Sequence, residues 1–435
     1  MKGLSLAVAS LLLLCPVGAQ KKVSYQKDVK FAVDAIGKQC KGLLKAKKIN
    51  WKKVTAPLLK ESKKCKSHEQ HLLLLWRLLA RLEDGHASVR PLAKGKGVKL
   101  DLPQRTHGPG MFLCRVDDQI YIKNVWGAAK SAGLKPGMEL SKVGGKPANK
   151  WLENRTAELR DLWSFSTDHQ AFFYACHWGL ADVAGTRWKV EVKEGKKKRT
   201  RTIAFAKTSQ TAAGPSFRPK DLSGKRNVFY GKTDGGFGYM HVRRCKNTLP
   251  QEVDEALAAI GDVPGMILDF RGNSGGGFDH RALFGRFLPK GVKWSVGSGY
   301  ASAGQNPYGG PMVVIVDATV RSAGETASGQ FLEDGRAYGI GESPTAGMSS
   351  QKTTIELPSQ LFSLYVSTGS NKQRFAKGKG IEGLGVVPHE LVPYAPADLA
   401  AEKDTLIARA EALLREFPQK SVRYNPARHG WQASK

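Results

Sequence analysis

The sequence predicts an α/β protein made of an N-terminal helical segment, a β-rich middle module and an α/β core. Three observations carry this. Leu72, Leu75, Trp76, Leu79 and Leu82 recur at helical spacing and give residues 20–104 one apolar face. Residues 105–208 change to short strands around polar turns, and residues 209–396 alternate apolar runs with helical stretches. At 435 residues the chain is long enough for two or three such units.

The first residues read differently. Met1-Lys2 supplies one positive charge, Leu4 to Val17 is apolar, and Val17-Gly18-Ala19 places small residues at a cleavage site. This is the pattern of a secretory signal over residues 1–19, cut after Ala19. A buried N-terminal helix is the plainer alternative, and the polar Lys21-Lys22 that follows argues against it. Leu14 before Cys15 is not the small residue of a lipid-attachment site. The chain is therefore expected to be exported, to the periplasm, the cell envelope or the medium. No apolar run of about 18 residues predicts a membrane-spanning helix.

In the helical segment the apolar face is expected to end at Asp84-Gly85-His86, with glycine as the stop. In the middle module, Phe112 to Val116 and Gln119 to Ile122 read as strands around Asp117-Asp118. A short helix, the turn Gly133-Leu134-Lys135-Pro136-Gly137 and a strand into Val143 follow. A helical stretch from Trp151 to Leu180 interrupts the module, and Trp188–Val192 and Arg201–Phe205 close it. This order resembles the peptide-binding PDZ fold, which implies either strand-addition binding of a peptide or a bracing role.

The core gives strands at Gly238–Val242, Met266–Phe270 and Met312–Val316, and helices at Gln251–Ile260, near Arg281–Phe287 and at Ala323–Leu332. Residues 397–435 are read as a terminal helix and tail. Two strand ends stand out. One is Ser322-Ala323-Gly324-Glu325, where a serine sits at a strand-to-helix corner. Such a corner exposes the hydroxyl and aims free helix N–H groups at whatever the oxygen attacks. The other is Asp269-Phe270-Arg271-Gly272-Asn273-Ser274-Gly275-Gly276-Gly277. Side by side in a parallel sheet, they would supply a nucleophile and an oxyanion site.

Composition narrows the partners. The formal charge is +30. It could serve an anionic surface such as a cell envelope, but the lysines are dispersed, with local runs only at Lys45–Lys48 and Lys196–Arg201. A solvated basic surface is the preferred reading. No nucleic-acid-binding motif is present, so nucleic acid is not an expected partner. Beyond the signal stand Cys40, Cys65, Cys114, Cys176 and Cys245. Cys40 and Cys65 flank a predicted helix-turn-helix and are the expected disulfide; the odd count leaves at least one thiol free or paired between chains. No CxxC or His/Cys cluster suggests zinc, and no cofactor is expected.

From Leu75 to His389 the chain resembles the tricorn and C-terminal processing peptidase family of serine peptidases. The resemblance rests on the residue 269–276 string, Ser322-Ala323-Gly324-Glu325, Gly341-Glu342-Ser343-Pro344-Thr345-Ala346-Gly347, and Gly380-Ile381-Glu382-Gly383-Leu384-Gly385-Val386-Val387-Pro388. It implies a core of the ClpP/crotonase-like type and a protein or peptide substrate. The Ser/Lys style of the family places its lysine where Met348 stands here; Lys352 is near but displaced. The tricorn-like style implies Ser322 as nucleophile, His86 as base and Glu382 as the carboxylate that orients it. Gly85 stands where tricorn-like proteins have a serine before the histidine. Gly275 or Gly276, with Ala323, would bind the oxyanion. Arg271, Asn273 and Glu325 are read as structural. The alternatives are a non-catalytic binding scaffold on the same fold, a PDZ-style anchoring protein, or a Ser/Lys peptidase using Lys352.

Overall fold

A computed structural model describes residues 24–100, 102–224, 226–294, 300–369, 375–416, 422–425 and 430–433. The expected secretory signal, residues 1–19, lies outside them. Among the described residues no helix is long and apolar enough to cross a membrane.

The N-terminal segment packs α1 (Tyr25–Gln39), α2 (Lys41–Ala46), α3 (Trp51–Ser62) and α4 (His68–Ala80). Side-chain oxygens start three of them: Ser24 caps α1, Asn50 caps α3 and Ser67 caps α4 by accepting from Gln70 N–H at 3.2 Å. The α4 face is buried as its spacing predicts, with Leu72, Leu74, Leu75, Leu78 and Leu79 in one cluster. The helix ends four residues earlier than expected, at Ala80, and the left-handed residue that breaks it is Glu83 (φ 51°) rather than Gly85. The chain then enters β1 (Ser88–Pro91). Cys40 and Cys65 share this cluster, but both are free thiols, so the expected disulfide is not formed. Cys40 is fully buried, and burial, then the nearby Asp84 charge, pushes its thiol up to about 12.

The helical segment is not closed on itself. Ile355, Leu357, Leu361, Phe362, Leu364 and Val366, from far along the chain, fill its core. The expected boundary at residue 104 thus misses a hairpin that an apolar helical face needed to be covered.

The middle module runs β2 (His107–Gly108), β3 (Met111–Val116), β4 (Gln119–Val125), α5 (Gly127–Ser131), β5 (Glu139–Val143), β6 (Lys146–Pro147), α6 (Ala148–Leu162), α7 (Asp168–Cys176), β7 (Arg187–Glu194), β8 (Lys197–Ala204) and β9 (Ala206–Lys207). Its main sheet has the order β3-β4-β5-β7-β8. Asp117 (φ 45°) and Asp118 (φ 59°) make the tight β3–β4 turn, two left-handed residues as a twisted two-residue hairpin requires. The predicted single helical stretch is two helices, broken at Trp163–Thr167, where Thr167 caps α7. That break reaches the site.

The core contains β10 (Val228–Lys232), β11 (Gly238–Val242), α8 (Leu249–Ile260), β12 (Met266–Asp269), α9 (His280–Gly285), the short β13 (Lys293–Trp294) and β14 (Tyr300–Ala301), β15 (Met312–Val316), α10 (Ala323–Glu333), β16 (Tyr338–Gly341), β17 (Lys352–Glu356), β18 (Phe362–Ser367) and β19 (Glu390–Leu391). Strands β11, β12, β15, β16 and β19 are parallel neighbours and β10 is an antiparallel edge. All five residues of β15 are buried, as a strand covered on both faces demands. β17 and β18 are the hairpin that leaves this core and joins β1, with Val89 opposite Leu364. The predicted terminal helix is two: α11 (Pro396–Ala400) and α12 (Thr405–Glu416); the described residues end with the pair β20 (Val422–Asn425) and β21 (Gly430–Ala433).

Candidate active site

β12 and β15 lie side by side in parallel, Met266 opposite Met312, so their C-terminal corners meet. Ser322 sits at the second corner with φ 56° and ψ −122°, a conformation a serine avoids unless its surroundings impose it. The imposing group is Glu325, which is fully buried. Its Oε2 accepts the N–H of Ser322 at 3.0 Å and of Met348 at 2.9 Å. Its Oε1 accepts from Thr345 Oγ1 and Gly347 N–H, both at 2.7 Å. Burial pushes this carboxyl up to about 7 even though these donors favour its charge.

The first corner is held in a different way. Arg271 is buried between Asp269 (2.6 Å) and Asp404 (2.8 Å), and also donates to the Tyr394 hydroxyl at 2.9 Å. Burial alone would raise Asp269, but the guanidinium wins and holds it below the usual carboxylate range. Asn273 joins the corners: its carbonyl accepts Arg321 N–H at 2.9 Å, and its side chain donates to Val242 O at 2.9 Å. Asn273 Oδ1 also takes the Gly275 N–H at 2.8 Å, which removes Gly275 from the expected oxyanion donors. Its role is space: a Cβ on Gly275 would stand 2.8 Å from Ser322 Cβ. Gly276 pairs in parallel with Cys245 through the flanking residue, Cys245 N–H to Gly275 O at 3.1 Å, a bond that does not use the Gly276 N–H. The Ala323 N–H, at the first position of α10, has no helical acceptor.

His86 lies in the turn between α4 and β1, and that turn is tied at every amide. Asp84 N–H donates to Ser164 Oγ at 2.8 Å, Gly85 N–H to Ser166 Oγ at 2.9 Å, His86 N–H to Asp84 Oδ1 at 3.0 Å, and Ala87 N–H to Asp84 O at 2.8 Å. Asp84 also accepts from Ser367 at the end of β18, from N–H at 2.6 Å and Oγ at 2.9 Å. Gly85 is not left-handed; its constraint is Met348, whose Sδ would be 2.8 Å from a Cβ there. Met348 thus joins the halves, its N–H on Glu325 and its sulfur against the His86 turn. Lys352, at the start of β17, is exposed.

Glu382 is buried beside this turn. One ligand atom each of Asp84, His86 and Glu382 lie within 4.8 Å of one another. Oε1 of Glu382 accepts from Lys47 Nζ and from Ser166 Oγ, both at 2.9 Å. Its Oε2 and the His86 Nδ1 are buried and have no partner. Burial lowers His86 first, Lys352 adds to this, Asp84 opposes it, and Arg321 and Lys47 lower it further, to about 4. The imidazole is therefore neutral at neutral pH and able to accept a proton. Burial and Asp84 raise Glu382 against Lys47 and Ser166, which lower it. The three donors do not read as a cation site, since Asp84 is spent on N–H and O–H groups and an ammonium already sits on Glu382.

Residues 236–392 match the model of peptidase family S41. Tricorn protease homolog 1 of Streptomyces coelicolor is 27% identical over 216 residues, which are 46% of this chain and 19% of that protein. The match thus spans about a fifth of that relative's length. Mature CPAF superposes with a TM-score of 0.65 at 13% identity, over 90% of this chain and 97% of that one. A putative peptidase from Parabacteroides merdae superposes with a TM-score of 0.51 at 14% identity, over 89% and 96%. At these identities the structures speak for the fold. Together with the two corners and the four motifs, the match shows that this chain carries, over residues 236–392, a peptidase family S41 domain.

Proposed function

We propose that the chain is a serine endopeptidase working by Ser-His-Glu chemistry on protein or peptide substrates. Ser322 attacks the peptide carbonyl, and His86 takes its proton and returns it to the leaving amine. Glu382 fixes the imidazole and stabilises its cation. The N–H groups of Ala323 and Gly276 receive the oxyanion, and such a donor contributes on the order of 3 kcal/mol. The observation that carries this reading is Ser322 itself, held at positive φ at the head of α10 by a fully buried glutamate. Lys352 is exposed on β17, whereas His86 lies within 4.8 Å reach of Glu382 in a turn held by side chains from three segments.

The test is reaction with a fluorophosphonate together with hydrolysis of casein. The wild type should label and cleave, and Ser322→Ala should do neither while keeping its fold. A folded wild type that refuses the label and leaves casein intact would be a binding scaffold. We also propose that the protein acts outside the cytoplasm, on the leader-like pattern of residues 1–19. Exported material should begin near Gln20 by mass spectrometry; Met1 retained on it would refute this.

A further inference from the structure

Glu382 differs from an ordinary orienting carboxylate in what already holds it. Lys47 reaches it from the end of α2, 335 residues away, with both side chains almost wholly buried at 6% and 1% exposure. The lysine lies in a built slot. Its Nζ also donates to the Glu83 carbonyl, and its stem runs past Gly383, where a Cβ would meet Lys47 Cε at 3.1 Å. Ser166, from the break between α6 and α7, reaches the same oxygen while accepting the Gly85 N–H next to His86. Its hydroxyl comes to the turn from another segment, where a side chain at residue 85 would collide with Met348 and Gln170.

We propose that Lys47 and Ser166 are positioning residues of the triad, which together occupy Oε1 of Glu382 and leave Oε2 as the oxygen that meets His86. This rests on the Ser322-His86-Glu382 reading and deepens it. The groups facing Glu382 are Lys47 from α2, Asp84 and His86 from the turn before β1, and Glu325 from α10. Those facing His86 are Lys352, Asp84, Arg321 and Lys47. One acid, Asp84, therefore presses on Glu382, and Lys47 is the cation that offsets it. Removing its charge raises both Glu382 and His86, because Lys47 lowers each. Each must be deprotonated to work, so the acid limb of activity moves to higher pH.

The experiment measures kcat/KM on labelled casein from about pH 4 to 9 for wild type, Lys47→Met, Lys47→Arg, Ser166→Ala, Glu382→Gln, Lys47→Met/Glu382→Gln and Ser166→Ala/Glu382→Gln. Lys47→Met should lose about tenfold at the acid end of the profile, where protonation of the base is felt first, and recover part of it at pH 9. Lys47→Arg should restore the acid limb. In the Glu382→Gln background Lys47→Met should cost little more, because the carboxylate it served is gone. A folded Lys47→Met with the wild-type profile, beside an impaired Glu382→Gln, overturns the positioning role and leaves the triad standing. A uniform loss at every pH, not rescued by arginine, makes Lys47 merely structural and overturns it too. If Lys47→Met does not fold, Ser166→Ala decides: unchanged activity refutes the proposal, and a loss absent in the Glu382→Gln background supports it. A fully active Glu382→Gln instead removes the triad reading itself, and the proposal with it.

Discussion

The proposed nucleophile half of the site and the proposed base half are built on different length scales. Ser322 is held by Glu325 three residues on, and Gly275 by Asn273 two residues back. These corners sit on adjacent parallel strands whose apolar runs are continuous. On the base side, Asp84 is tied to Ser367 across 283 residues, Ser166 to Glu382 across 216, and Lys47 to Glu382 across 335. Local sequence specifies most of the first half, whose longest tie is Arg271 to Asp404 across 133 residues. The second exists only after the helical segment, the middle module and the core have docked. The difference teaches that in such a site the reactive atom is encoded locally, whereas the environment that activates it is encoded by the whole tertiary structure.

The largest effect tests whether the two halves act as one machine. Ser322→Ala and His86→Ala should each lower kcat on casein by about 10⁴-fold or more, and the double variant should fall little further, because members of such a unit are not additive. If His86→Ala stays active while Lys352→Ala is dead, the base half is wrongly assigned and Ser322 alone survives.

Glu325→Ala asks whether the nucleophile corner is as self-contained as its short bonds suggest. It strands the N–H groups of Ser322, Gly347 and Met348 and the Thr345 hydroxyl, each a buried group costing about 1–3 kcal/mol when unpaired. A marked drop in Tm and loss of labelling are expected. An unchanged Tm with full labelling would mean that the corner holds its shape without the glutamate.

Lys352→Ala should have the smallest effect, with near wild-type turnover at pH 7.5. Its charge is, after burial, the largest influence lowering His86, so its removal lets the imidazole pKa rise from about 4. A base must be unprotonated to work, so activity is lost as pH falls through that value, and the limb should move to higher pH in the variant. Absence of that shift in a pH–rate profile would show that the Lys352 charge does not act on His86.

The sequence made the nucleophile half readable for the reasons that give it its form. An apolar five-residue run followed, after Asp317–Arg321, by Ser-Ala-Gly-Glu leaves little choice of strand, corner and helix. Even there the donor assignment was only half resolved: nothing in Asn273-Ser274-Gly275 says that the asparagine folds back onto the Gly275 amide. The fold class was legible in the same way, from periodicity. His86 and Glu382 were reachable through motif resemblance, not spacing. Lys47 carried no signal, being one lysine in the run Lys45–Lys48 of a chain with charge +30. Ser166 looks like one more polar residue before a helix. The β17–β18 hairpin hid for a related reason: alternating apolar residues announce a strand but not the neighbour it covers.

Arg271 sets an order of events. Its guanidinium, fully buried at the turn beside Ser322, is shared between Asp269 and Asp404. Asp404 lies 133 residues further on, and Glu382 precedes it by only a few turns of chain. A ribosome makes the serine and the histidine well before it makes either acid. Until then the turn beside Ser322 would bury a cation half-neutralised, at a cost of several kcal/mol, and the imidazole would have no carboxylate to meet. On the proposed chemistry, a nascent chain thus lacks both acids through most of its own synthesis. On that reading the site is completed from its C-terminal side, by a carboxylate at 382 and another at 404, long after the serine and the histidine are in place.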